Sequence, residues 1–105
     1  MKKDNFKTDV IFRTDTTKDF AGTVFAVFPH NVETLNGNVG WYAHVGQHSH
    51  GDYDVMLKQS RPATKQESEN LKAELEINYG YNFNVIKRRN YDKYIADYRR
   101  VNKIK

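Results

Sequence analysis

The chain predicts an α+β fold: a single small domain with a mostly antiparallel four- or five-stranded sheet, one packed helix and a basic C-terminal helix. Three observations lead there. The length, 105 residues, suits one domain spanning 1–105 and leaves no room for two. Short apolar segments with a period of two fill the first half of the chain and recur near residue 83. Helical periodicity is confined to two later stretches, one after Thr64 and one after Tyr91. The resulting order, β-β-β-β-α-β-α, places runs of strands before a helix, the pattern of an antiparallel sheet with a helix on one face.

Each element has a local reason. Residues 1–7 are polar and read as a frayed, flexible start. "DVIFR" (9–13) reads as a short strand, and "TTKDFAG" (16–22) as a turn closed by Gly22. "TVFAVF" (23–28) is β-branched and aromatic, suited to a central strand, and Pro29 is expected to stop it. Residues 30–40 form an irregular connection in which Asn36-Gly37 is a two-residue turn signal, because both tolerate positive φ. "GWYAHVGQ" (40–47) reads as a strand with Trp41, Ala43 and Val45 on one face and Tyr42 and His44 on the other. "DYDVMLKQ" (52–59) reads as its partner, with Tyr53, Val55 and Leu57 on one face, so "HSHG" (48–51) falls at or near a hairpin turn.

The later elements carry the clearest signals. Thr64 and Glu67 have capping-box spacing, Leu71 and Leu75 repeat at i, i+4, and Gly80 supplies a left-handed cap. "YNFNVIK" (81–87) alternates, with Tyr81, Phe83 and Val85 expected on the buried side. Tyr91, Tyr94, Ile95, Tyr98 and Val101 form a helical stripe in the basic segment 88–105.

Composition narrows the function classes. Aromatic residues make up 13% of a chain that is only 38% apolar, so the core is expected to rest on Phe, Tyr and Trp. No cysteine is present, which excludes disulfides and thiolate metal sites and fits a reducing compartment. The opening "MKKDNFKTDV" has no apolar run behind its lysines, and the run Val24–Phe28 is too short to cross a bilayer. A cytoplasmic protein with no membrane partner is expected. Net charge is +4, but residues 87–105 carry +6 and the rest −2, which hints at a polyanionic partner.

Two stretches bear chemistry. In "HVGQHSHGDYD" (44–54), His44, His48, His50 and Asp52 are candidate metal ligands, with zinc the representative ion. On a continuous strand His48 and His50 would stand roughly 6.6 Å apart on one face, close enough to share an ion, while His44 would need a bend at Gly46. Turn chemistry alone also accounts for Ser, Gly and Asp here. A histidine oriented by Asp52 or Asp54 would suit a general base, but no nucleophile elbow or phosphate-cradling glycine loop accompanies it. In "KRRNYDKYIADYRRVNKIK", Lys87, Arg88, Arg89, Lys93, Arg99, Arg100 and Lys103 are candidate phosphate contacts interleaved with tyrosines that could stack on bases. The i, i+3, i+4, i+7 spacing of those tyrosines equally fits packing on a sheet.

"VIFR" (10–13), "AVFP" (26–29), "YAHVGQH" (42–48) and "LKAELEINYGYNFNVIKR" (71–88) together resemble a family of small uncharacterised proteins of bacteria, their phages and their plasmids. The most specific part of the resemblance is a Tyr-x-His-x-Gly-Gln-His run, here Tyr42, His44, Gly46, Gln47 and His48. It implies a biological setting rather than a mechanism. The expected function is that of a non-enzymatic accessory protein acting by binding, with DNA or RNA as the partner. The alternatives are a protein–protein module (a host-factor inhibitor or a homodimer) and a metal-dependent hydrolase built on the histidines.

Overall fold

A computed structural model describes residues 7–44 and 47–103. Its elements are β1 (Thr8–Asp15), β2 (Val24–Val32), β3 (Val39–Tyr42), β4 (His48–Gly51), α1 (Tyr53–Lys58), β5 (Ser60–Pro62), α2 (Lys65–Tyr79), β6 (Phe83–Val85) and α3 (Tyr91–Val101). The fold is α+β, with a six-stranded, mostly antiparallel sheet. The strands run in the order β4-β3-β2-β1-β5. The outer edge of β1 is shared: β6 pairs with Thr8–Val10 in parallel, and β5 pairs antiparallel with Arg13–Asp15.

Helices cover both faces. Val10 and Phe12 of β1, Ala26 and Phe28 of β2, and Tyr42 of β3 meet Leu71 and Leu75 of α2 on the first face. Ile11, Val27, Val32 and Val39 meet Tyr53 and Met56 of α1 and Tyr94, Tyr98 and Val101 of α3 on the second. This sandwich explains why the centre of β1 is buried without alternation, since a strand covered on both sides must be apolar on both. The aromatic core expected from composition is present: Phe12, Phe28, Phe83 and Tyr42 all lie inside.

Several boundaries differ from the sequence expectation. Residues 52–59 form α1 rather than a strand. Tyr53, Met56 and Leu57 recur at i, i+3, i+4 and pack on the second face, and the Asp52 side chain caps the helix by accepting the Val55 N–H at 3.1 Å. Tyr53, Val55 and Leu57 also alternate, and a run this short satisfies both periods. "HSHG" is not the turn but the edge strand β4, opposite Tyr42, Trp41, Gly40 and Val39. The turn lies before it: Ala43 N–H donates to the Gln47 carbonyl at 2.7 Å. The strand expected over 40–47 therefore ends at Tyr42, and its Val45 and Gly46 lie outside the described residues.

Pro29 does not stop β2. The register breaks between Phe28 and Val32, and a proline is tolerated at such an irregularity because no ladder N–H is required there. Val85 is 54% exposed rather than buried, while Phe83 of the same strand is buried. The C-terminal helix is shorter than 88–105: Asn90 caps it by accepting the Lys93 N–H, and Asn102 ends it. The expected frayed start lies, apart from Lys7, outside the described residues.

Other expectations hold. The capping box is complete, with Thr64 Oγ1 accepting the Glu67 N–H and Glu67 Oε1 accepting the Thr64 N–H, and Gly80 takes the left-handed cap at φ 71°. Gly37 adopts φ 92° in the turn before β3, and its carbonyl accepts the Tyr94 hydroxyl of α3 at 3.0 Å. A side chain at Gly37 would meet both a strained backbone and the Tyr94 hydroxyl oxygen.

Candidate functional site

The basic segment divides into engaged and free cations. Arg89 is enclosed by aromatic rings, its guanidinium carbon 4.3 Å from the centre of Tyr53 and 4.0 Å from that of Tyr94. Its backbone N–H donates to the Tyr53 hydroxyl at 2.9 Å. Arg89 thus clamps α3 to α1. Lys93 donates to Asp9 Oδ2 at 3.0 Å, and Arg100 is bidentate on Asp97 at 2.7 and 3.1 Å. Asp97 also accepts the Val32 N–H, and the Arg100 guanidinium holds its carboxyl below the usual range despite partial burial.

Lys87, Arg88, Arg99 and Lys103 are exposed and carry no ion pair among the described residues. Arg99 lies in the last turn of α3, and Lys103 follows the Asn102 cap. Lys87 and Arg88 precede the Asn90 cap at the other end of the helix. Tyr94 and Tyr98 do not join them as stacking platforms, because both pack on the sheet, whereas Tyr91 at the start of α3 is exposed. Sequence reasoning missed Lys65 and Lys72 of α2, which share with Lys87 a groove of about 490 Å³ where β5 and β6 part along β1. Their i, i+7 spacing, two helical turns, was the available signal.

Near the start of α3 lies a partly buried His–Asp pair. His30 Nδ1 stands 2.9 Å from Asp9 Oδ2, with both side chains nearly covered. His30 Nε2 accepts the Asn90 N–H at 2.7 Å, so the proton sits on Nδ1 and neither nitrogen is open to a substrate. Burial lowers the His30 pKa, outweighing the Asp9 carboxylate. Burial alone would raise the Asp9 pKa, but donors from Asn84, Lys93 and His30 together bring it below the usual value. This dyad ties β1, β2 and α3 together.

The histidine stretch is dispersed by the hairpin. His44 Nδ1 faces Glu74 Oε1 of α2 at 2.9 Å, and Glu74 also accepts the Tyr42 hydroxyl. The His48 ring lies parallel to Tyr42 at 6.5 Å, and His50 Nδ1 is 3.3 Å from the Asn38 amide. Asp52 is the α1 cap. Among the described residues, no group of three or more His, Cys, Asp or Glu side chains is arranged to hold a metal ion. The His44–Glu74 pair has the orientation of a base held by a carboxylate, but no Ser or Thr hydroxyl bonds to His44 among the described residues.

No helix among the described residues is long and apolar enough to cross a membrane. No protein-family model, curated protein or solved structure matches the chain.

Proposed function

We propose that this chain is a non-enzymatic accessory protein, of the kind carried by bacteria and their mobile elements, that binds the phosphate backbone of DNA or RNA. The observation that carries the reading is the set of four exposed cations without ion pairs among the described residues: Arg99 on α3, Lys87 and Arg88 in the segment before it, and Lys103 just after it. A folded chain neutralises cations that serve its own packing, as it does with Lys93 and Arg100. Free guanidinium and ammonium groups at both ends of one helix instead match a polyanion, whose charges repeat every few ångströms. Sequence readout is not part of this proposal, because Tyr94 and Tyr98 are used in packing and Tyr91 alone of the α3 tyrosines is exposed.

The test is fluorescence anisotropy with labelled duplex and single-stranded oligonucleotides across salt. Four phosphate contacts predict about a 50- to 150-fold loss of affinity between roughly 50 and 200 mM salt. Binding that does not change with salt, or no binding at low salt, would reject the proposal. Salt-insensitive capture of a protein would favour the second reading, an interaction module. That reading draws on the apolar groove between α1 and the sheet, lined by Phe25, Trp41 and Met56 beside the 64%-exposed Phe20.

A further inference from the structure

A third groove, on the α2 side of the sheet, has chemistry opposite to that of the basic segment. It encloses about 360 Å³ between the C-terminal end of α2 and strands β3 and β4. Its walls include the rings of Phe28, Tyr42, Tyr79 and Tyr81. Tyr42 and Tyr79 meet nearly at right angles, 74° apart with centroids 5.6 Å apart, while Phe28 and Tyr81 lie nearly parallel. Tyr79, the last residue of α2, is 55% exposed although its ring belongs to this cluster.

The charged group at the groove is Glu33. Its Oε2 accepts from the Asn31 amide at 2.9 Å and lies over Gly40, where a Cβ would come within 2.9 Å of it. Among the described residues no Lys or Arg lines the groove; its other ionisable side chains besides the tyrosines are the imidazoles of His48 and His50. Aromatic faces carry negative potential, and a carboxylate adds a full negative charge. An anion or a nucleic-acid backbone is repelled here, and a cation is favoured.

We infer that this groove binds an organic cation of the methylated-ammonium class, with Tyr42, Tyr79 and Tyr81 as the aromatic walls and Glu33 as the counter-charge. The shape selects this class over a guanidinium. Two rings meeting at a steep angle, as Tyr42 and Tyr79 do, make a corner that suits a rounded, apolar-skinned cation, whereas the planar guanidinium of Arg89 elsewhere in the molecule lies flat over the faces of Tyr53 and Tyr94. Charge complementarity, rather than apolar area, therefore identifies the occupant.

The experiment is an NMR titration of the intact chain with choline, with its uncharged carbon analogue dimethylbutanol, and with a short trimethyllysine peptide beside the same peptide unmodified. Saturable shifts at the groove with choline, absent with the analogue, are the expected result. Tyr79→Ala and Glu33→Gln, both at exposed positions, should each weaken choline binding about fivefold while leaving the spectrum otherwise folded. Tighter binding of the trimethyllysine peptide than of choline assigns the cation to a protein side chain, and the reverse order assigns it to a free small molecule. Equal binding of the uncharged analogue, no saturable shift with any probe, or unchanged affinity in both variants would overturn the inference.

Discussion

The His30 ring and the Asn90 backbone are joined by a 2.7 Å hydrogen bond in which Nε2 accepts, so the start of α3 is fastened to the neutral form of a buried imidazole. Protonation would turn that acceptor into a donor facing another donor. Lys93 and Arg89 nearby add to the cost of a positive ring, against the pull of Asp9.

A pH dependence follows. The folded pKa of His30 is lowered from its ordinary 6.5, so the unfolded chain takes up the proton first as pH falls. The contribution is complete above the unfolded value and is lost as pH drops through the folded one. Urea midpoints should decline from about pH 7.5 to about pH 5.5, and His30→Gln should flatten that slope. A wild-type slope identical to that of the variant would show that His30 does not couple folding to protons.

Arg89 predicts a stability effect where its neighbours predict none. Its guanidinium lies against Tyr53 and Tyr94 and joins α1 to α3. Arg89→Ala should cost about 1–2 kcal/mol, and Arg89→Lys should recover little, because an ammonium does not stack as a plane. Arg99→Ala and Lys103→Ala, which break no ion pair among the described residues, should stay within about 0.5 kcal/mol. Chemical denaturation of the four variants checks the contrast.

The α2 start offers a third prediction. Glu67 is held at a pKa of about 2, first by Arg61 and then by the Thr64 backbone, and it also accepts the Thr14 hydroxyl of β1. Thr64→Ala removes one half of the box and should cost about 1 kcal/mol. Because the Glu67 pKa is depressed, its contribution is present above its ordinary value and fades as pH falls toward about 2. Glu67→Ala should therefore flatten an acid limb that Thr64→Ala leaves in place, as urea titrations between about pH 5 and pH 2 would show.

How much was legible depended on whether a signal was local. The Thr64–Glu67 box, Gly80 and the Leu71–Leu75 pair are all interactions within a few residues, and the sequence displays them directly. Residues 52–59 misled because Tyr53, Val55 and Leu57 satisfy a strand period while Tyr53, Met56 and Leu57 satisfy a helical one; only the Asp52 cap separates them. The site was harder. Charge asymmetry pointed to the C-terminal segment, yet which cations are free depends on Asp9 and Tyr53, far away in sequence from the residues they engage. The aromatic groove joins β2, β3, β4 and α2, and no periodicity announces that Glu33 and Tyr79 line the same groove.

The division between free and engaged cations makes the last prediction. If α3 lies along a phosphate backbone, Arg88→Ala, Arg99→Ala and Lys103→Ala should each reduce the salt slope of binding by about one, and weaken binding to unrelated sequences alike, because each removes one counter-ion release. Arg100→Ala should change the slope less, since that guanidinium is already bidentate on Asp97 and its loss leaves a carboxylate on the same surface. Arg100→Ala should still weaken binding through that uncovered negative charge, and the added Asp97→Asn should restore it. Anisotropy titrations of the five proteins at several salt concentrations separate the two behaviours. Equal slopes for Arg99→Ala and Arg100→Ala would mean that the ion pairs open on binding, and unchanged slopes throughout would move the contact surface away from α3.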